Sequence, residues 1–344
     1  ITSNGKKRMI LRSAATLQAS SWQKDLSEAI TDSKELCRHL NLTDQDLIQA
    51  NMASQQFALK VPRPFVNRME KGNPKDPLFL QIWPQGQELT TQTNYLTDPL
   101  DEKAASPQIG VIHKYHGRVL LIGSPTCAIN CRYCFRRHYP YEENMLNTEQ
   151  YQAAFNYIQQ ETSIAEVILS GGDPLVSSNK RLAWVVTQLE AIPHVKRLRI
   201  HTRLPIVIPN RVDEGFLSLL QQTTLQTVIV VHSNHSNEID SSVSTALTAL
   251  RQVCTVLNQA VLLKQVNDNK QALTNLNIKL FEAGVLPYYL HLLDKVHGAA
   301  HFDIPEADAI ALVKELSHQL PGYLVPKLVR EDAGAKSKTL IAIN

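Results

Sequence analysis

Three of the chain's five cysteines fall within eight residues, Cys127-Ala128-Ile129-Asn130-Cys131-Arg132-Tyr133-Cys134. This C-x3-C-x2-C spacing offers three thiolates in one place, one fewer than normally fill an iron–sulfur cluster. A cubane held by three cysteines leaves one iron open, and an open iron can take a substrate or cofactor as its ligand. The cysteines follow Val119-Leu120-Leu121-Ile122-Gly123, an apolar run that reads as a buried strand. Zinc is the alternative, with His138 as a fourth ligand, although structural zinc sites usually show two close pairs. An odd, sparse cysteine count argues against a disulfide framework.

Other polar groups recur where strands are expected to end. Ser170-Gly171-Gly172-Asp173 closes a second apolar run, and paired glycines there let backbone approach a ligand closely. His201-Thr202-Arg203 and His232-Ser233-Asn234-His235 close the next two, and Asp294 follows the last. A lone histidine at a strand end is usually a hydrogen-bonded structural residue. Polar residues at the top of most strands point instead to a site. Arg132, Arg136, Arg137 and His138 crowd the third cysteine. Such a run is ordinarily a solvated face, but beside a cluster a guanidinium can grip a substrate carboxylate bidentately.

The elements that must position these groups follow from periodicity. Residues 1 to about 20 read as an irregular arm. Helical spacing covers Trp22 to Leu40 and then Asp44 to Lys60, with Thr43 as N-cap, and Phe65 to Lys71 forms a short helix. Leu78-Phe79-Leu80-Gln81-Ile82 reads as a strand. From residue 110 the pattern alternates. Strands are expected at 118–123, 166–171, 197–202, 227–232, 260–265 and 286–293, the fifth beginning after Asn258-Gln259. Helices fill the gaps. Runs apolar on both faces indicate parallel strands under helices, and six such units make an α/β partial barrel of TIM type, (β/α)6. The expected organisation is a mostly helical region at 1–110, the barrel at 111–304 and a C-terminal helix and segment at 305–344.

Composition is that of an ordinary globular protein, 43% hydrophobic and 19% charged. A net charge of +3 is too small to imply a nucleic-acid surface. No apolar run is long enough to span a bilayer, and the basic start lacks the apolar core of a signal peptide. Reduced cysteines and an oxygen-sensitive cluster point to the cytoplasm.

Taken together, the three cysteines followed by Arg136-Arg137, Ser170-Gly171-Gly172-Asp173-Pro174-Leu175, Arg199-Ile200-His201-Thr202-Arg203 and Gly322-Tyr323-Leu324-Val325-Pro326 resemble the lysine 2,3-aminomutase family of radical S-adenosylmethionine (SAM) enzymes. Gly72-Asn73-Pro74-Lys75-Asp76-Pro77 and Leu290-His291-Leu292-Leu293-Asp294-Lys295 look like its (R)-β-lysylation branch, which serves elongation factor P (EF-P). The resemblance implies an isomerase that moves the amino group of L-α-lysine from C2 to C3. It implies a [4Fe-4S] cluster on Cys127, Cys131 and Cys134, with SAM on its open iron. It also implies pyridoxal phosphate (PLP) held covalently by Lys338, with Lys336 as the alternative. Lys114 and Arg118 match holders of the PLP phosphate. Ser170, Gly171, Gly172 and Asp173 match the SAM amino-group motif, with His232 and Gln259 as further SAM contacts. Arg136 matches the grip on the substrate carboxylate, and Asp294 and Glu331 match the pair around its ε-ammonium. The implied partners are lysine, EF-P and its lysine ligase, with no membrane, no nucleic acid, and a homo-oligomer left open. Two alternatives stand beside this: an aminomutase for another cationic amino acid, and a metal-stabilised binding module without catalysis.

Overall fold

The computed structural model describes residues 21–43, 47–140 and 146–343. The expected arm before residue 21, and the start of the helix expected from Asp44, lie outside them. Helices α1 (Ser21–Ser27), α2 (Ser33–Leu40), α3 (Leu47–Gln56), α4 (Arg63–Val66) and α5 (Pro77–Leu80) precede the sheet. The single helix expected over Trp22 to Leu40 is broken. Ile30 leaves it to pair with Val61 in an antiparallel bridge, and Asp32 restarts it by accepting from Lys34 N and Glu35 N. The strand expected at Leu78 to Ile82 is also corrected. Pro77 supplies a ready φ at the first helical position, and Asp76 Oδ1 accepts from Leu78 N and Phe79 N at 2.8 and 2.9 Å. Those two local terms outweigh the apolar pattern.

The sheet has nine strands in sequence order: β1 (Val111–Tyr115), β2 (Arg118–Ser124), β3 (Glu166–Gly171), β4 (Arg197–Thr202), β5 (Gln226–His232), β6 (Thr255–Val261), β7 (Leu286–His291), β8 (Lys327–Arg330) and β9 (Thr339–Leu340). Strands β2 to β8 run parallel, and β1 and β9 are antiparallel edges. Helices α6 (Thr148–Gln160), α7 (Asn179–Glu190), α8 (Leu204–Val207), α9 (Glu214–Gln222), α10 (Ser241–Arg251), α11 (Lys270–Glu282) and α12 (Glu306–Ser317) fill the connections. This is the expected open α/β barrel, extended by one parallel strand and an antiparallel strand at each edge. One contiguous apolar core runs from Trp22 to Leu328, and a smaller cluster around Tyr133, Leu293 and Phe302 caps the cysteine loop.

The fifth expected strand sits elsewhere. Asn258 and Gln259 lie inside β6 rather than before it, and 262–265 fall beyond its end. Asn258 is buried because its carboxamide accepts from Ser233 N (2.9 Å) and donates to Ser233 O (3.1 Å), an edge-like pairing with the end of β5. A polar side chain that imitates backbone hides a strand from an apolar count.

Two glycines seat the cysteine loop on the sheet. Gly171 has φ +111°, and a Cβ on Gly172 would lie 2.3 Å from the Thr126 carbonyl oxygen. Gly172 N donates to Ser124 O, and Asp173 N to Thr126 O, both at 2.8 Å. Thr126 immediately precedes the first cysteine. Gly172→Ala is therefore expected to push that loop off the sheet, at a cost of about 1–3 kcal/mol. The check is iron bound per chain after anaerobic reconstitution, together with the melting temperature. Full iron content at an unchanged melting temperature would contradict this account.

Candidate active site

The cysteine loop leaves the end of β2 and is held from behind by the N-terminal region. Lys60 Nζ donates to Cys127 O (2.8 Å), Asn130 N to Lys60 O (2.9 Å) and Asn130 Nδ2 to Ala58 O (2.9 Å). Arg203, just past β4, places Nη1 2.7 Å from Cys131 Sγ. Burial pushes the Cys134 thiol up to about 12, with Cys131 adding to it. Among the described residues no three His, Cys, Asp or Glu side chains converge on a single metal ion. A cubane does not ask that, since each cysteine binds a different corner. His138 does not join the cysteines: its Nε2 lies 3.1 Å from His297 O.

The arginine run is not a solvated face. Arg132 is fully buried and forks onto Glu88, Nε–Oε1 2.8 Å and Nη2–Oε2 2.5 Å, and Arg137 Nη2 reaches the same carboxylate at 2.7 Å. Arg136 forks onto Glu102, Nε–Oε2 2.8 Å and Nη2–Oε1 2.7 Å, while its Nη1 faces Ser170 Oγ at 3.2 Å.

A cavity of about 530 Å³ opens over the strand ends and inside the barrel. Every residue singled out above for the cluster, SAM, PLP or the substrate lines it, apart from the alternative lysine Lys336. On the side away from the cysteines, Lys338 Nζ donates to Glu331 Oε2. Glu331 Oε1 accepts from Tyr115 OH at 3.1 Å and faces Lys114 Nζ at 3.5 Å. Burial would raise the Glu331 carboxyl, but Lys338, Lys114 and Tyr115 together hold it down at about 2. At Asp294 the pull of Lys338 and Lys114 is outweighed. Burial, then the Glu331 charge, push it up to about 7. Lys336 does not line the cavity, whereas Ser337 and Lys338 do.

Three other expected residues are more committed than the sequence suggests. The Asp173 carboxylate accepts four bonds, from Leu175 N, Thr202 Oγ1, Arg203 N and Leu204 N, at 2.7–3.0 Å. It ties the end of β3 to the end of β4. Lys114 lies between carboxylates, also donating to Leu100 O at 2.9 Å, with Glu102 at 4.0 Å. His232 Nε2 sits 2.9 Å from Tyr133 OH, and burial with the nearby Arg203 lowers its pKa to about 3. By contrast the Nε2 atoms of His201 and His291 are buried without a partner and line the cavity, as a polar ligand there would require.

Residues 116–202 match the family model described as a 4Fe-4S single cluster domain. The chain is 49% identical to the L-lysine 2,3-aminomutase of Haemophilus influenzae over 97% of this chain and 99% of that one. It is 50% identical to the enzyme of the same name from Escherichia coli, over 92% and 93%. The chain belongs to the lysine 2,3-aminomutase family. A radical SAM methyltransferase from Sphaerobacter thermophilus superposes with a TM-score of 0.43 at 17% identity, over 64% of this chain and 68% of that one, which adds nothing to the sheet topology. Family membership makes the chain an isomerase of the radical SAM class, and implies an iron–sulfur cluster, SAM and PLP as its cofactors.

Three members of this aminomutase's site were not found from the sequence. Glu102 lies 34 residues from Arg136, and Glu88 lies 44 and 49 residues from Arg132 and Arg137. Tyr115 sits on a strand too short and mixed to announce itself. Only the unusual density of arginine beside the cysteines hinted that buried carboxylates must exist to meet it.

The Asp294 shift has a definite sign. The folded chain binds this proton more tightly than the unfolded chain, whose carboxyl has the ordinary value of 3.8. Its contribution to stability is complete below that value and is lost as pH rises through about 7. In the cofactor-free chain, Asp294→Asn should gain on the parent by a few kcal/mol between pH 4 and about 7–8. Unfolding midpoints across that range provide the check, and a constant difference between the two chains would contradict it.

Proposed function

We propose that this chain is a PLP-dependent radical SAM aminomutase that converts L-α-lysine to (R)-β-lysine, which is then attached to EF-P by a separate ligase. The observation that carries the reading is one cavity in which Arg136 and the acidic pair Asp294 and Glu331 accompany three cysteines and Lys338. A carboxylate-binding end and an ammonium-binding end suit an α-amino acid with a cationic tail. They argue against an acidic substrate. The cavity is large enough for more than the amino acid alone.

The residues present fit the three cofactors. Cys127, Cys131 and Cys134 supply soft thiolates for the cluster, and the Gly171-Gly172 turn brings backbone beside them for SAM, with Ser170, His232 and Gln259 around it. Asp173 serves that site by fixing the turn through its four bonds. Arg118, stacked on the Tyr115 ring with its guanidinium carbon 4.8 Å from the centroid, is the cation best placed for the PLP phosphate. Lys114 acts through Glu331 instead. When bound, the cluster and SAM would supply a hydrogen-abstracting radical, and PLP would supply an aldehyde carbon to carry the amino nitrogen and a conjugated ring to delocalise the unpaired electron while that nitrogen passes from C2 to C3 of the substrate.

Lys338 is the residue that would hold PLP, through its Nζ. Glu331 serves cations in turn, Lys338 Nζ in this structure and the substrate ε-ammonium once lysine is bound. Asp294, raised to about 7, gives up its proton when that ammonium arrives beside it. Arg136 orients the substrate by its carboxylate. The apolar cluster around Tyr133, Leu293 and Phe302 keeps water from the radical. The described residues of the region at 1–110 support the cysteine loop, the region at 111–304 carries SAM chemistry, and the region at 305–344 carries the PLP lysine. The setting proposed is the cytoplasm. No described helix is long and apolar enough to cross a membrane.

The test is anaerobic incubation of the reconstituted chain with dithionite, L-lysine and substoichiometric SAM. β-Lysine in excess over SAM is expected, and SAM cleavage without β-lysine would move the substrate elsewhere. Lys338→Ala should lose PLP on desalting while retaining its iron. PLP retained in that variant and lost in Lys336→Ala would reassign the lysine.

A further inference from the structure

The Arg136–Glu102 pair is the most completely satisfied ion pair in the cavity wall. Both oxygens of Glu102 accept from the Nε and Nη2 edge of Arg136, at 2.8 and 2.7 Å. Both side chains are nearly sequestered, at 7% and 5% exposure. The Nη1 side is fixed separately, by Ser170 Oγ at 3.2 Å and Gly171 O at 3.4 Å. The guanidinium is thus clamped between the segment before β1 and the end of β3. Glu102 also lies 4.0 Å from Lys114, whose Nζ is 3.5 Å from Glu331. Alternating charges therefore run Arg136, Glu102, Lys114, Glu331, Lys338 across the cavity.

We infer that Glu102 is a positioning residue for substrate recognition: it fixes the plane of the Arg136 guanidinium so that the arginine presents itself to the carboxylate of the amino-acid substrate. The inference rests on the substrate reading above. A rival role is competition, in which Glu102 occupies Arg136 as a stand-in carboxylate and leaves when substrate binds. The burial decides between them. A displaced Glu102 would be a buried carboxylate with only a lysine at 4.0 Å, and breaking a buried, bidentate pair is strongly unfavourable. The pair stays, and the substrate is read with Glu102 in place.

Glu102→Gln keeps the shape and removes one acceptor. Its amide nitrogen must then face an N–H of the guanidinium, so the fork turns away from its position. The experiment is calorimetric titration of the PLP-loaded, cluster-loaded chain without reductant, so that no turnover occurs. Two probes are used, L-lysine and 1,5-diaminopentane, which has both amines and no carboxylate. The parent is expected to prefer L-lysine. In Glu102→Gln, L-lysine should bind about tenfold to a hundredfold more weakly, with diaminopentane unchanged. Equal weakening of both probes would show a merely structural role and overturn the inference. Tighter L-lysine binding would establish competition and overturn it also. A parent chain that does not distinguish the probes would overturn the reading of the substrate end itself, a different failure from the other two.

Discussion

Glu331 joins the two edges of an open sheet. A parallel barrel that does not close leaves β1 and β9 as unpaired borders, and here the gap between them is crossed by side chains rather than backbone. Glu331 follows β8, and its Oε1 meets Tyr115 OH and Lys114 Nζ from β1. Its other oxygen holds Lys338, from the turn before β9. One carboxylate thus bridges the two borders of the barrel wall and sits on Lys338, the lysine proposed to hold PLP. That double duty explains why its charge is held so firmly, with a pKa near 2 despite burial that would raise it. Asp294 carries the counterpart of the same arrangement. Burial and the Glu331 charge outweigh the pull of Lys338 and Lys114 on this second carboxylate, which is pushed up to about 7.

The other end of the cavity depends on the N-terminal helices. Backbone groups at 57–60, with the Lys60 amine, grip Cys127, Asn130 and Arg132, and the 3-10 turn Gly86–Leu89 supplies Glu88 to two arginines. The region before the barrel is therefore the back wall of the cysteine loop. Such buried pairs are expensive to desolvate, and they hold only because each guanidinium is bonded along more than one edge. They fix the loop geometry before any iron arrives.

The parallel strands were legible because burial on both faces leaves uninterrupted apolar runs, as in Val167-Ile168-Leu169. β6 was misplaced because Asn258 is buried while polar, and β1, β8 and β9 were missed because strands of two to five residues carry little pattern. The cysteines announced a cluster by their spacing, whereas the Gly171-Gly172 turn, a weak signal by itself, gained its meaning beside them and through family likeness. The roles of Arg136, Asp294, Glu331 and Lys338 came through family likeness, since an acidic residue in a tail has no local signature. Glu102 escaped altogether: its meaning is a contact 34 residues away, and an isolated Glu between Asp101 and Lys103 reads as surface.

The central claim is that one cavity brings the cysteine-bound chemistry to the β-carbon of a lysine held between Arg136 and the Asp294–Glu331 pair. L-lysine deuterated at C3 tests it directly, in an anaerobic incubation of the reduced, cofactor-loaded chain with SAM. The account predicts deuterium in the SAM recovered afterwards. SAM that is consumed by reductive cleavage, with no deuterium acquired from lysine, would contradict it.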